Sequence, residues 1–233
     1  MKLAVMQPYL FPYLGYFQLI NAVDKMVIYD NIEYTRKGWI NRNRILLDGK
    51  DKFFTIPVKK DSDFLNIRER YLADNSEIKI RKILAQISNS YRKAPFFKEI
   101  YPVLERLFLS GKKNLFDYVF NTISEICTLL ELKTELIISS ELKMDHDLKA
   151  EQKVLEINRI LNSDIYINPI GGTELYDKEN FKNKGVELLF IKSKPILYDQ
   201  SDNEFTECLS IIDVLMFNDL NKVKSFLNEF ELV

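Results

Sequence analysis

LAVMQPYLFPYLGYF, residues 3–17, is the stretch that decides the fold. The apolar run at its start predicts a buried strand that ends at Gln7-Pro8, and Pro12 fixes the φ angle of a helix start. Apolar residues recur at helical spacing up to Val23, and Met26 to Tyr29 then predict a second strand that ends at Asp30. This order predicts a βαβ unit with a right-handed crossover.

The remaining sequence predicts one α/β domain over residues 1–233, with a Rossmann-like, mostly parallel sheet. Residues 39–47 and 53–58 flank Asp48-Gly49, a dipeptide typical of tight hairpin turns, and residues 66–72 could add a third strand. Amphipathic helices follow up to residue 132, so we expect residues 36–132 to be an inserted hairpin plus a helical region. The alternation of strand and helix then returns, with strands predicted at 136–138, 165–167 and 186–191 and helices at 151–161 and 209–217.

Composition limits the classes of function. The chain has 233 residues and a formal net charge of −1, so we expect no extended nucleic-acid-binding surface. Two cysteines fit a reducing cytoplasm, and no apolar stretch approaches the roughly 20 residues that span a bilayer. The single histidine, His146, cannot form a multi-histidine metal site, and the carboxylates show no ligand spacing, so we assign no metal-site residues. Whether a metal accompanies phosphates in the site, and which cofactor is used, stays open at this point. We expect His146 to be exposed, and Cys208 lacks the pattern of a catalytic thiol.

Four predicted strand ends carry polar or glycine-rich sequence. They are Gln7-Pro8, Asp30, Ser139-Ser140 and residues 168–172. Ligands of open α/β sheets sit beyond the carboxyl ends of parallel strands, so these segments predict a small-molecule site at one edge of the sheet.

The first of these corners contains aromatic residues and a costly glycine. Gly15 lies inside the predicted helix, where glycine costs about 1 kcal/mol relative to alanine, and a close approach by backbone or ligand would explain it. Pro8, Phe11 and Tyr16 belong to the same candidate site, although an aromatic core corner is the alternative.

A basic cluster precedes the hairpin turn. On a strand, Arg36, Arg42 and Arg44 would point to one face, with Asn43 on the other. Arginine binds phosphate or carboxylate, and Trp39 could stack on a base or sugar. A solvated strand face with one anchoring tryptophan explains the pattern equally well.

Two further segments are candidates. Asn168, Gly171 and Gly172 follow a strand and could line an anion with backbone N–H groups, and a short helix near Tyr176 could add its N-terminus, although a plain turn is the alternative. Asp213 interrupts an apolar run, so it is either paired inside the protein or placed at a helix surface.

The chain resembles the WbqC-like family, named for proteins of bacterial O-antigen and surface-polysaccharide gene clusters. The resemblance covers nearly the whole chain and rests on Met6-Gln7-Pro8, Phe11-Pro12, Leu14 to Phe17, Asp24, Asp30, Gly38-Trp39, Arg42-Asn43, Tyr166 to Asn168, Gly171-Gly172, Leu175-Tyr176, Tyr198 to Gln200 and Leu209 to Leu215. More distantly, Tyr13-Leu14-Gly15-Tyr16 is similar to the His-x-Gly-His corner of nucleotidyltransferases and pantothenate synthetases, with both histidines replaced.

The resemblance implies an enzyme of surface-polysaccharide biosynthesis. The favoured reaction is acyl or aminoacyl transfer onto a nucleotide-linked amino sugar. In that hypothesis Arg36 or Arg42 and the Gly171-Gly172 loop hold phosphate, Trp39 and Tyr16 stack on the ligand, and Asp30 or Asp213 acts as base or orienter; Gln200 joins the site through the resemblance. A nucleotidyltransferase-like enzyme with altered catalytic residues and a non-catalytic partner in a glycan-assembly complex are the alternatives.

Overall fold

The structure is a computed structural model that describes residues 1–47, 49–201 and 204–233. Its strands are Lys2–Met6 (β1), Lys25–Ile28 (β2), Arg42–Leu47 (β3), Lys50–Thr55 (β4), Glu135–Ile138 (β5), Ile165–Pro169 (β6), Glu187–Ser193 (β7) and Phe230–Leu232 (β8). Its α-helices are Leu14–Asn21 (α1), Ser76–Tyr91 (α2), Phe97–Phe108 (α3), Leu115–Leu129 (α4), Ala150–Leu161 (α5), Lys178–Asn183 (α6), Ile211–Phe217 (α7) and Leu220–Phe226 (α8).

Six strands form the main sheet in the order β5-β2-β1-β6-β7-β8. The first five are parallel, and β8 adds an antiparallel edge. The chain runs outward from β1 through β2 to β5, then returns to the other side of β1 and continues through β6 to β7. This topology confirms the predicted mostly parallel Rossmann-like sheet, and it puts the point where strand order reverses between β1 and β6.

The sheet is covered by apolar layers on both faces. In β1, Leu3 and Val5 belong to one cluster, which includes Val154 of α5 and Phe181 of α6. Ala4 points to the other face and joins a larger cluster that contains residues of α1, α2, α3, α4, α7 and α8. This alternation follows from the two-residue period of a strand, so a single short strand contributes to both layers.

The inserted hairpin forms as β3 and β4, but its second strand starts earlier than predicted. Leu47 pairs with Lys50, so pairing resumes directly after a two-residue connection, whereas the sequence placed the strand at residues 53–58. Gly49 has a φ of 72°, a left-handed value that glycine accommodates. Asp48 of the predicted turn lies outside the described residues.

The prediction of a third strand at residues 66–72 is wrong. Ile67–Glu69 is a turn of 3-10 helix, and the residues around it form isolated bridges, which join Asn66 to Glu33, Tyr71 to Asn114 and Leu72 to Val58. The Glu69 carboxylate accepts a hydrogen bond from the Asn66 backbone N–H at 2.8 Å, which closes the turn as a capping box. The short helix predicted near Tyr176 is found as α6, which begins at Lys178, whereas the helix α8 and the strand β8 were not predicted.

Candidate functional site

A cleft of about 1010 Å³ lies at the point where strand order reverses. Its lining comes from the ends of β1, β2 and β6 and from the start of α5. The residues include Gln7, Tyr9, Tyr29, Asn31, Glu33, Asn66, His146, Asp147, Leu148, Lys149, Ala150, Lys153, Asn168, Gly171, Gly172, Leu175 and Tyr176. The segments that follow β1, β2 and β6 therefore line one concave space, whereas Asp30 and Ser139-Ser140 of the predicted strand ends are not in its lining.

Asn31 links two ionisable side chains of the cleft. Its Oδ1 lies 2.5 Å from Ser139 Oγ and 3.4 Å from Lys153 Nζ, and its Nδ2 lies 2.9 Å from His146 Nδ1. An ammonium can only donate, so the amide oxygen faces Lys153 and the amide nitrogen donates to His146. His146 Nε2 lies 3.0 Å from the Leu142 carbonyl oxygen, and this pattern assigns the neutral tautomer with the proton on Nε2.

Asp30 is fully buried directly behind the cleft, at the end of β2. Its carboxylate accepts hydrogen bonds from the Ser139 hydroxyl, from the backbone N–H and hydroxyl of Ser140, and from Arg68 of the insertion. Burial alone would raise the pKa of this carboxyl, but the hydrogen bonds from Ser140, Arg68 and Ser139 together outweigh burial and lower it. The carboxylate thus stays ionised and fixes the ends of β2 and β5 to the insertion.

Five of the predicted binding residues line the cleft: Gln7, Asn168, Gly171, Gly172 and Tyr176. Asn168 is 5% exposed and donates to the Pro169 carbonyl oxygen at 3.2 Å. A Cβ atom on Gly172 would lie 2.1 Å from Asn168 Nδ2, whereas a Cβ on Gly171 would meet nothing within 4 Å. Gly172 is therefore required by the close approach of Asn168, and Gly171 faces open space.

The other candidates of the first corner lie outside the lining of the cleft: Pro8, Phe11 and Tyr16 are buried, whereas Gly15 is half-buried and lines a second, smaller pocket. Tyr16 is 2% exposed and donates its hydroxyl to the Gln7 carbonyl oxygen at 2.9 Å. Pro8 is buried too, and a Cβ on Gly15 would lie 2.4 Å from the ring of Tyr13. The close approach that the sequence predicted at Gly15 is thus made by a tyrosine side chain, and Tyr16 is not available for stacking on a ligand.

Phe11 has an unusual backbone in the same corner. It is completely buried, has a φ of 43° and stacks on Phe108 with ring centroids 4.7 Å apart. Its carbonyl oxygen accepts hydrogen bonds from Asn43 Nδ2 at 2.7 Å and from Ser210 Oγ at 2.8 Å. Asn43 therefore fixes the backbone of this corner through its hydrogen bond to Phe11, and it does not line the cleft.

The basic cluster of the hairpin lies outside the cleft lining. The prediction that Arg36 shares a strand face with Arg42 and Arg44 is wrong, because Arg36 and Trp39 precede β3. Trp39 stacks on Phe53 at 5.6 Å, and Arg42 lies 5.0 Å from the Phe53 ring centroid. Arg36 pairs with exposed Asp63. The structure thus gathers an arginine–aromatic cluster on the hairpin, separate from the strand ends.

Asp213 is paired inside the protein, which was one of the two alternatives. Its carboxylate accepts hydrogen bonds from Tyr91 and Tyr198, each at 2.7 Å, and from Gln200 at 2.8 Å. Burial raises the pKa of this carboxyl, against the lowering effect of those hydrogen bonds. Tyr198 borders a second, smaller pocket of about 260 Å³, so Asp213 and Gln200 stand behind that pocket instead of the cleft.

Several cleft residues had not been singled out from the sequence, and they come mainly from the β2 end and from α5. They are Tyr9, Tyr29, Asn31, Lys149 and Lys153. His146 is exposed as predicted, yet it lines the cleft. Asn31 could have been found, because it directly follows the strand-end residue Asp30, whereas nothing in the helical pattern distinguishes Lys153 from a surface lysine.

Residues 1–47, 49–201 and 204–233 contain neither a metal-ligand cluster nor a helix suited to a bilayer. Within these ranges no group of three or more histidine, cysteine, aspartate or glutamate side chains is arranged to hold a metal ion. No helix in the described part of the chain has the length and apolar character needed to cross a bilayer.

Comparison with known proteins gives a family and one relative. The model of the WbqC-like protein family matches residues 7–225. Uncharacterized protein Rv1507c of Mycobacterium tuberculosis is 32% identical over 137 residues, an alignment that spans 58% of the chain and 58% of that relative. No solved structure matches the chain.

Proposed function

The chain belongs to the WbqC-like protein family, and from this premise we propose a cytoplasmic transferase of bacterial surface-polysaccharide (O-antigen) biosynthesis. In this proposal a nucleotide-linked amino sugar binds in the cleft at the strand-order reversal. An acyl or aminoacyl group is then transferred to the sugar amine. The surface-polysaccharide role and the type of transfer are inferred from the family resemblance, and the mode of binding is inferred from the cleft.

One observation carries the proposal: the cleft lies at the reversal point, where α/β sheets bind nucleotides and other phosphate-bearing ligands. Its volume of about 1010 Å³ is at the upper end of ordinary ligand sites, so there is room for a base, a diphosphate and a sugar. Tyr9, Tyr29 and Tyr176 contribute aromatic side chains to the lining, and Gln7 and Asn168 contribute amides that suit sugar hydroxyl groups.

The site geometry changes the roles given to individual residues. Lys149 and Lys153 replace Arg36 and Arg42 as the cations nearest the ligand, because only the lysines line the cleft. Asp30 suits the part of orienter, since both of its carboxylate oxygens are occupied by hydrogen bonds from Ser139, Ser140 and Arg68. We assign Asp213 the role of holding Tyr198 and Gln200 in place behind the smaller pocket, through the hydrogen bonds that its carboxylate accepts from them.

For amide formation the sugar amine must be neutral when it attacks the acyl carbon. His146 is the imidazole in the lining, and its Nδ1 carries the lone pair that now accepts the Asn31 amide. A neutral substrate amine that displaces this amide would donate one N–H proton to Nδ1 as its nitrogen forms the bond to the acyl carbon. The proton then passes to the leaving group of the activated acyl donor as the bond from the acyl carbon to that group breaks.

Calorimetry on the full chain tests the binding step. The titrants are a nucleotide-linked amino sugar, the same nucleotide without sugar, the free sugar and an acyl thioester. We expect the nucleotide sugar to bind and its affinity to fall at least tenfold in Asn168→Ala, with no change in the exposed control Arg36→Ala. Absence of binding by every nucleotide sugar and acyl donor would contradict the proposal.

Mass spectrometry of the reaction mixture tests the transfer step. A mass increase of the amino sugar by one acyl or aminoacyl group supports the enzyme. Pyrophosphate release from ATP would instead support nucleotidyl transfer, although Tyr13 and Tyr16 do not line the cleft. Nucleotide-sugar binding without turnover, together with intact surface glycan in cells that carry His146→Ala, would favour the non-catalytic partner.

A further inference from the structure

We propose that the N-terminus of α5 and the ammonium group of Lys153 form the anion subsite of the cleft, which takes the diphosphate of a nucleotide-linked ligand. The inference rests on the proposed use of the cleft and adds a location and an orientation to it. The negative charge lies against the α5 wall, and the sugar then extends toward Asn168 and the Gly171-Gly172 loop.

Lys153 is a buried cation with incomplete hydrogen bonding. It is 6% exposed, although it lines the cleft. Its Nζ has one long hydrogen bond, 3.4 Å to Asn31 Oδ1, and lies 5.4 Å from the centroid of the Tyr29 ring. Two of its three ammonium protons have no acceptor in the part of the chain that the structure describes. An ammonium held in this way is costly, and an anion in the cleft would supply the missing acceptors.

The N-terminus of α5 faces the same space. This helix has 12 residues, and the Lys149 side chain at its N-cap forms no capping hydrogen bond. Leu148, Lys149 and Ala150 all line the cleft, so the first turn of the helix is at its wall. The first backbone N–H groups of a helix have no partner within the helix and carry the positive end of its dipole, which favours phosphate.

The charges around Lys153 are consistent with an anion at this point. Desolvation lowers the pKa of Lys153, against the raising effects of Asp30 and Asp147. Asp30 is already neutralised by its ion pair with Arg68. A bound phosphate would therefore meet a cation beside one carboxylate, Asp30, that is already paired, while Asp147 lines the cleft as a second carboxylate.

The Gly171-Gly172 loop is the weaker candidate for the phosphates. Gly172 is explained by the Asn168 side chain, whose Nδ2 would lie 2.1 Å from a Cβ. The 3-10 helix that contains both glycines has six residues, against 12 in α5, and none of its residues is a lysine or an arginine. We therefore assign this loop to the sugar.

Titration of the full chain with inorganic pyrophosphate and with a nucleotide-linked sugar tests the subsite. Lys153→Gln and Lys153→Met remove the charge, and Lys79→Gln on an exposed face of α2 is the matched control. We expect both Lys153 variants to bind pyrophosphate at least tenfold more weakly and the control to bind it normally. Circular dichroism and urea unfolding establish that each variant is folded.

A second measurement uses the unmodified protein and does not depend on variant folding. We expect pyrophosphate to slow chemical acetylation of Lys153 at least fivefold, as followed by mass spectrometry of peptides, with no effect on Lys79. Equal acetylation of Lys153 with and without pyrophosphate would overturn the subsite.

Failure of the subsite and failure of the proposed function give different results. Folded Lys153 variants that bind the nucleotide sugar as tightly as the wild type overturn the subsite and leave the cleft proposal intact. A wild-type protein that binds no nucleotide sugar overturns the proposed function. Pyrophosphate binding that requires Lys153 would then still support the anion subsite.

Discussion

Arg68 of the insertion forms an ion pair with the buried carboxylate of Asp30 at the carboxyl end of β2. Backbone hydrogen bonds join the same two segments. The Arg68 N–H donates to the Asp30 carbonyl oxygen at 2.9 Å, and the Ile67 N–H donates to the Ile32 carbonyl oxygen at 2.9 Å. Because Asn31 and Ile32 line the cleft, the insertion supports one wall of the candidate site.

Arg68→Ala is expected to lower the free energy of unfolding by about 2–3 kcal/mol. The substitution leaves a buried carboxylate with only serine donors, and hydrogen bonds to a charged group are among the stronger ones. Arg36→Ala is the control, because its ion pair with Asp63 is exposed and such pairs contribute about 0–1 kcal/mol. Urea denaturation of both variants checks the difference, and equal midpoints would refute it.

Asp213 and Asp30 are expected to give stability opposite dependences on pH. The pKa of Asp213 is raised above its ordinary 3.8, so its contribution is fully present below that pH and is lost as pH rises through the folded value. The pKa of Asp30 is lowered, so its contribution is present above pH 3.8 and is lost as pH falls through the folded value. Comparing each protein with its own asparagine variant cancels the other titrating groups.

The measurement is urea unfolding over a range of pH. The stability difference between wild type and Asp213→Asn should decrease as pH rises from about 4 to 7, the range above the ordinary value for aspartate. The difference between wild type and Asp30→Asn should decrease as pH falls from about 4 to 2. Slopes of the same sign in both pairs would contradict the assignment.

Gly172→Ala is expected to destabilise the protein by about 1–3 kcal/mol, because the new methyl group overlaps the buried Asn168 amide. Nucleotide-sugar binding should weaken with it, since Asn168 lines the cleft. Gly171→Ala, one residue away, has open space and is the matched control. Thermal unfolding of the two variants decides the matter: similar melting temperatures would show that Asn168 moves aside freely.

Gly15→Ala is expected to lower the free energy of unfolding in the wild type and to raise it in the Tyr13→Ala variant. In the wild type the new methyl group meets the ring of partly exposed Tyr13 at 2.4 Å, so the ring must rotate away, and a rotamer change of this kind costs about 0.5–1.5 kcal/mol. In Tyr13→Ala the obstacle is absent, and alanine stabilises the helix by up to about 1 kcal/mol. A double-mutant cycle in urea measures the coupling, and an additive result would show that the ring does not constrain Gly15.

The sequence predicted the framework of the fold because its signals are local. The strand at residues 3–6, the helix after Pro12 and the strand at residues 26–29 each follow from hydrophobic spacing, and the structure has all three. The strand predicted at residues 66–72 is wrong because a capping box between Asn66 and Glu69 stabilises a helical turn there. Strand propensity does not take account of such a side-chain contact. The antiparallel β8 depends on pairing with distant β7.

The candidate site was only partly predictable. Gln7, Asn168 and Gly171 were found because they follow strands, and strand ends converge at one edge of a parallel sheet. Residues 36–43, before and at the start of the hairpin, were selected because arginine and tryptophan side chains suit phosphate and aromatic ligands. Residue type does not show which surface of the folded protein a segment lies on. Lys153 was missed because its burial comes from packing at the start of α5, a property that depends on tertiary structure.

The left-handed backbone of Phe11 has a consequence for how the chain is made. Its two clamps lie 32 and 199 positions further along, at Asn43 and Ser210. On the ribosome this corner emerges before the two residues that clamp it, and it lacks its second clamp until Ser210 has left the exit tunnel. The Tyr16 hydroxyl of the same corner holds the Gln7 carbonyl oxygen, so a nascent chain that ends before residue 210 presents the cleft residue Gln7 on a corner that lacks one of its clamps.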